Sequence, residues 1–140
     1  MDYLDLSSLR RAIESFANAL SVLASADSMS WNTSQIEVLR AGVIQNFEFT
    51  YELSWKFIQR WLTRNLGRTE TEGISRRHLF RLAAQHRLIN DVDTWMDYHQ
   101  ARNETVHTYD SFVAQAVIDT AKEFINDVRL LLERIKASND

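Results

Sequence analysis

The sequence predicts an all-α fold, and three observations carry that prediction. Proline is absent and glycine occurs only 3 times in 140 residues. Long helices exclude both residues, whereas β-sandwiches and barrels need turns rich in them. Apolar residues recur at alternating steps of three and four through most of the chain, the stripe of an amphipathic helix. Capping residues stand where those stripes begin.

The first stripe, Leu6, Leu9, Ile13, Phe16, Leu20 and Leu23, predicts a helix from about Leu6 to Ala24, and Asp27-Ser28-Met29-Ser30 interrupts it. A long second helix is expected from about Ser34 to Leu66, with Ser34-Gln35-Ile36-Glu37 as a capping box. Its stripe of Leu39, Val43, Phe47, Tyr51, Trp55, Ile58 and Leu62 is widened by Phe49, Leu53, Phe57 and Trp61, so its middle should be contacted on more than one side. Gly67 suits the left-handed position just past a helix end. Arg68 to Ile74 should be a polar connection. Ser75 can cap a short third helix to about Leu88, and Asp91 a fourth from about Val92 towards Val106. Asp110 or Ser111 can cap the last, in which Val113, Val117, Ala121, Phe124, Val128, Leu131 and Ile135 repeat at helical spacing. Long amphipathic helices with short connections imply an up-and-down bundle of about five helices.

The length suits a single domain spanning 1–140, with enough chain for a hydrophobic core. The 45% apolar and 25% charged residues are ordinary for a globular protein. With Cys 0, disulfides and thiolate metal sites are excluded, which fits a reducing compartment. No apolar run approaches the ~20 residues of a membrane span. The start, Met1-Asp2-Tyr3-Leu4-Asp5, has acids where a secretory signal has bases, so a cytoplasmic protein with no membrane partner is expected.

A net charge of −3 argues against a general nucleic-acid binder. Its distribution matters more. Arg60, Arg64, Arg68, Arg76, Arg77, Arg81 and Arg87 face only Glu70 and Glu72 in the same stretch. By default such a run is a solvated face. A local basic patch can nevertheless hold phosphate when the average charge cannot, and Arg76, Arg77 and Arg81 are candidate RNA contacts.

Functional groups concentrate in Arg102-Asn103-Glu104-Thr105-Val106-His107-Thr108-Tyr109. Arginine is a permanent cation whose fork of donors matches a phosphate, and histidine titrates near neutral pH. RNA brings its own nucleophile, the 2′-hydroxyl. Its cleavage needs a proton acceptor or donor and a cation facing the phosphate, and no metal. Residues five apart on an α-helix point about 140° from one another. Arg102 and His107 therefore share a pocket only if the helix ends near His107 or a second copy of the chain completes the site. Two helix ends meeting in a symmetric dimer would set two Arg and two His around one groove, a physical reason to expect a homodimer.

The same groups have plainer readings. Arg102 could pair with Asp97 or Glu104, His107 could cap its helix, and Tyr109 could pack at the bundle end. His78, His86 and His99 lack the spacing of a zinc site, so no metal is expected. Glu48 and Glu52, one turn apart in an apolar stretch, should tie the long helix to the Arg102 region. The Phe47, Tyr51, Trp55 stripe is core or dimer interface.

The run from Arg102 through His107 to Tyr109 resembles the R-x4-H-x-Y signature of HEPN-domain toxins, with Asn103 the polar type usual in second position. Phe47-Glu48-Phe49-Thr50-Tyr51-Glu52-Leu53-Ser54-Trp55-Lys56 is similar to the long-helix motif of the same branch, also called nucleotidyltransferase substrate-binding proteins. The order and style of the later segment, Trp95-Met96-Asp97 through Asp110, match as well, and the resemblance spans roughly Leu9 to Ile135. It implies a small HEPN-like helical bundle that dimerises, and a toxin–antitoxin pairing with a minimal nucleotidyltransferase, the MNT protein. It further implies a metal-independent endoribonuclease that needs no cofactor of its own, with Arg102 and His107 catalytic. The MNT partner would use ATP to attach AMP to Tyr109 and silence the nuclease. The alternative is a non-catalytic substrate-binding subunit of the nucleotidyltransferase, or a structural helical dimer with a degenerate motif.

Overall fold

The computed structural model describes residues 4–26 and 28–138. Among them are six α-helices and no strand: α1 (Ser7–Ala24), α2 (Thr33–Leu66), α3 (Arg68–Thr71), α4 (Arg76–Gln85), α5 (Val92–Glu104) and α6 (Ser111–Ala137), with a 3₁₀ turn at Thr105–His107 between the last two. Asp27, in the expected break, and the acidic Met1-Asp2-Tyr3 lie outside the described residues.

The helix starts show why the chain folds locally as it does. The Asn32 side chain accepts from the Gln35 N–H at 2.9 Å, and the Gln35 side chain accepts from the Asn32 N–H at 2.9 Å. This capping box lies two residues ahead of the Ser34–Glu37 box expected. Both pairs have the right spacing, and the earlier one gives α2 additional backbone bonds. Ser75 and Asp91 cap α4 and α5 through the N–H groups of His78 and Thr94, each at 3.1 Å. Asp110, rather than Ser111, caps α6 through the Phe112 N–H at 2.9 Å.

The helix ends depart further from expectation. Gly67 has φ 97° and ψ 159°, not the left-handed helical pair, but a region open essentially to glycine alone. The connection beyond it is not wholly irregular, because α3 adds a single helical turn. At the end of α4, Arg87 occupies the left-handed region (φ 63°) where glycine is usual. Its N–H bonds the Ala84 carbonyl at 3.1 Å and the Leu88 N–H reaches the Ala83 carbonyl at 2.9 Å, the paired bonds of a Schellman ending.

The three long helices pack on one another, with α5 against α6 and α2, and α4 against α5 and α2. Ser15 bonds Asn46 at 2.8 Å and Thr50 bonds the Ala12 carbonyl at 3.4 Å, so α1 and α2 run antiparallel. Phe124 of α6 sits at the centre of the core. Its ring contacts Phe16, Phe47, Tyr51, Trp95 and Tyr98 at centroid distances of 4.8–6.2 Å. Each aromatic comes from a segment read as helical in the sequence, and their convergence fixes how α5 is rotated against α2.

Candidate active site at the end of helix α5

That rotation decides where the motif residues point. Trp95, Tyr98 and Ala101 are the buried residues of α5. The buried Tyr98 phenol donates to Asp127 of α6, and desolvation pushes its ionisation far up. On an adjoining face, His99 and Arg102 look towards α2.

Arg102 is held by two carboxylates. Its Nε donates to Glu52 Oε1 at 2.7 Å, and its Nη2 lies 3.6 Å from Glu48 Oε1. The partners are therefore the two α2 glutamates, not Asp97 or Glu104; the latter accepts from Gln100 at 2.9 Å. Glu52 also accepts the indole N–H of Trp55 at 3.0 Å through its second oxygen. The opposite end of this chain of contacts is Arg76 of α4, whose guanidinium carbon lies 3.3 Å from the centre of the Trp55 ring. His99 Nδ1 sits 2.8 Å from the hydroxyl of the fully buried Tyr51. Burial, reinforced by the positive charges of Arg76 and Arg102 and opposed by Glu52, holds His99 below its ordinary ionisation range. Burial likewise pushes the Tyr51 phenol up. Glu48, Tyr51, Glu52, Trp55, Arg76, His99 and Arg102 thus form one polar cluster drawn from three helices.

Just beyond Arg102 the helix stops. Thr105 donates from its hydroxyl to the Arg102 carbonyl at 2.7 Å, and Thr108 does the same to the Thr105 carbonyl at 3.1 Å. Such local side-chain bonds compete with continued α-helix, and the backbone tightens into the 3₁₀ turn. His107 and Tyr109 emerge from that turn into solvent, with their rings 6.1 Å apart at 79°. Tyr109 is 86% exposed, so it is not packed at the bundle end. Asn103 is also exposed. The condition set by helical geometry, an ending near His107, is met. Yet among the described residues no hydrogen bond joins Arg102 to His107, since Arg102 turns to α2 and His107 turns outward.

Two further features frame the motif. A shallow cavity of about 200 Å³ runs between α2 and the turn, lined in part by Arg40, Glu48 and Thr108. Val106, Phe112 and, on the α2 side, Phe49 are 67%, 86% and 59% exposed. A larger groove of about 650 Å³ between α1 and α6 holds none of the motif residues, so chemistry rather than volume marks the site.

The three arginines singled out from the basic run have different surroundings. Arg76 turns in to Trp55, Arg77 pairs with Asp93 at 3.0 Å, and Arg81 is exposed. The histidines are dispersed likewise, His99 on Tyr51 and His86 packed on Trp61. Among the described residues no three acidic or histidine side chains are grouped to hold a metal ion. The sequence reading missed the Arg76–Trp55 stack and the His99–Tyr51 bond. A partial signal was available: Tyr51, Glu52 and Trp55, like His99 and Arg102, are spaced within one helical turn.

Comparison with known proteins adds ancestry to this geometry. Residues 4–137 match the family model for nucleotidyltransferase substrate binding protein-like chains. A probable ribonuclease HepT of Haemophilus influenzae is 38% identical over 104 residues, 74% of this chain and 71% of that protein. The structure of the substrate-binding domain of a nucleotidyltransferase, also from Haemophilus influenzae, superposes with a TM-score of 0.90 at 30% identity, covering 94% of this chain and 99% of that one. A Thermus thermophilus protein superposes with a TM-score of 0.65 at 28% identity, over 86% and 98% of the two chains.

Proposed function

Because the chain belongs to the nucleotidyltransferase substrate-binding family and is homologous to a probable ribonuclease HepT, we propose that it is a single HEPN-like domain acting as a metal-independent endoribonuclease, silenced by adenylylation of Tyr109. One observation carries this reading. Helix α5 ends between the motif arginine and the motif histidine, leaving a guanidinium anchored on α2 beside a turn that presents an imidazole and a phenol to solvent.

In the reaction, the RNA 2′-oxygen attacks the adjacent phosphorus and the bond from phosphorus to the 5′-oxygen breaks. A 2′,3′-cyclic phosphate and a free 5′-hydroxyl result. The 2′-hydroxyl gives up its proton and the leaving 5′-oxygen gains one; His107 carries out one of these transfers, and water or His107 of the second copy the other. Arg102 faces the charge that builds on the phosphoryl oxygens. No hydrogen bond among the described residues joins Arg102 to His107, and the site is completed by a second copy. The exposed Val106, Phe112 and Phe49 beside the motif supply apolar surface for that homodimer.

For silencing, the Tyr109 oxygen attacks the α-phosphorus of ATP held by the partner nucleotidyltransferase, pyrophosphate leaves and the phenolic proton is lost. AMP then sets a phosphodiester anion and a nucleotide's bulk on a ring whose centre lies 6.1 Å from that of His107, so repulsion and occlusion act together.

One observation favours the second reading, a non-catalytic substrate-binding subunit: both carboxylates near Arg102 already engage it. Incubating the purified chain with single-stranded RNA in EDTA separates the two. Fragments ending in cyclic phosphate support the nuclease. No turnover on any RNA pool, with tight binding to the nucleotidyltransferase, supports the subunit.

A further inference from the structure

The polar cluster holds one cation that no acceptor among the described residues engages. Arg102 is held by Glu52 and Glu48, and Arg77 by Asp93, but no hydrogen bond or ion pair from the described residues reaches Arg76. Its Nε is buried and unsatisfied. Isolated buried donors are costly and rare, so such a group calls for an acceptor. The arginine is not loosely placed either. Its guanidinium lies over Trp55 at 3.3 Å, and the indole N–H is tied at 3.0 Å to Glu52, the carboxylate that holds Arg102. One frame therefore fixes two guanidinium groups.

His99 of α5, bonded to Tyr51 of α2, belongs to the same cluster. The Tyr51 hydroxyl meets His99 Nδ1 at 2.8 Å, and in the tautomer where the hydroxyl donates, Nδ1 is the acceptor. A neutral imidazole then carries its own proton on Nε2, directed away from Tyr51. Burial and, after it, the charges of both arginines hold this ring below its ordinary ionisation range.

We propose that Arg76 and His99, beside Arg102, form a second phosphate-binding position of the site, holding a phosphodiester of the bound RNA other than the one being cleaved. This rests on the nuclease reading and extends it: Arg102 serves the reacting phosphate, and Arg76 fixes the register of the strand. The guanidinium fork suits a phosphate, and Arg76 is only half-buried, with Trp55 covering one face of the fork.

The test uses the full-length chain carrying His107→Ala, with a single-stranded 2′-O-methyl RNA that cannot be cut, and follows binding by anisotropy across a salt series. Arg76→Gln should weaken binding about tenfold, the loss of one charge-assisted contact. The slope of log affinity against log salt should fall by about 0.7, one phosphate of a single strand. Arg76→Lys should retain the slope. Arg76→Met, an unbranched apolar side chain that can pack against Trp55, provides a second uncharged variant should Arg76→Gln fail to fold. In the otherwise wild-type enzyme the same substitutions should raise KM and spare kcat. Unchanged affinity and slope in both uncharged variants, or a loss confined to kcat, overturns the proposal. Competition by inorganic phosphate that depends on Arg76, with no effect of Arg76 on RNA binding, overturns it too by assigning the position to free anions. Binding that depends on Arg76 in a wild type that cuts no RNA would remove the nuclease and leave the phosphate position standing.

Discussion

Glu52 holds Arg102 and Trp55 with its two carboxylate oxygens, taking the guanidinium Nε at 2.7 Å and the indole N–H at 3.0 Å. The Arg102 side chain is 28% exposed, so this contact is screened less than a surface pair. Glu52→Ala should lower unfolding free energy in urea by about 1–3 kcal/mol, because two donors lose their acceptor. It should also lower kcat/KM about tenfold or more, since Arg102 is then free to leave its working position. Glu52→Gln keeps an acceptor and should fall between.

Tyr109 has the opposite character. It is 86% exposed and its phenol makes no hydrogen bond among the described residues, so Tyr109→Phe should change stability by less than about 0.5 kcal/mol. Incubation with the partner nucleotidyltransferase and ATP, followed by mass measurement, should add AMP units to the wild type and none to Tyr109→Phe. Equal labelling of both would move the modification elsewhere.

The depressed ionisation of His99 gives stability a pH dependence of known sign. The unfolded ring takes up a proton near pH ~6.5 and the folded ring only at lower pH. Unfolding is therefore favoured as pH falls through that window, and the stability present above it is lost. Thermal melts between neutral and mildly acidic pH should show the midpoint falling. His99→Asn, which keeps a polar group facing Tyr51, should flatten that fall.

Phe124 tests the core. Five aromatic rings converge on it and its side chain is fully buried, so Phe124→Ala should cost about 3–5 kcal/mol in a urea titration. The loss should loosen the rotation of α5 on α2 and so reduce cleavage as well.

Much of the fold was legible in the residues because helix stripes and caps are local signals. The stripes ending in Leu23, Leu62 and Ile135 lie in α1, α2 and α6, and the caps Ser75, Asp91 and Asp110 act as their spacing implies. The cap of α2 was displaced to Asn32 because two boxes overlap in sequence and nothing local ranks them. For the site, the tie from Glu48 and Glu52 to the Arg102 region followed from placing acids in an apolar stretch, where they need a cation. The Arg76–Trp55 stack was not legible. It depends on how α4 docks against α2, a tertiary relationship between residues 21 apart that no periodicity encodes.

The most direct measurement of the central claim is kcat/KM for RNA cleavage in EDTA by wild type, Arg102→Ala and His107→Ala, each checked for helical signal and dimer mass. The account predicts wild-type cleavage and a loss of at least about a hundredfold in each variant with fold and assembly intact. Wild-type rates in both variants would contradict it.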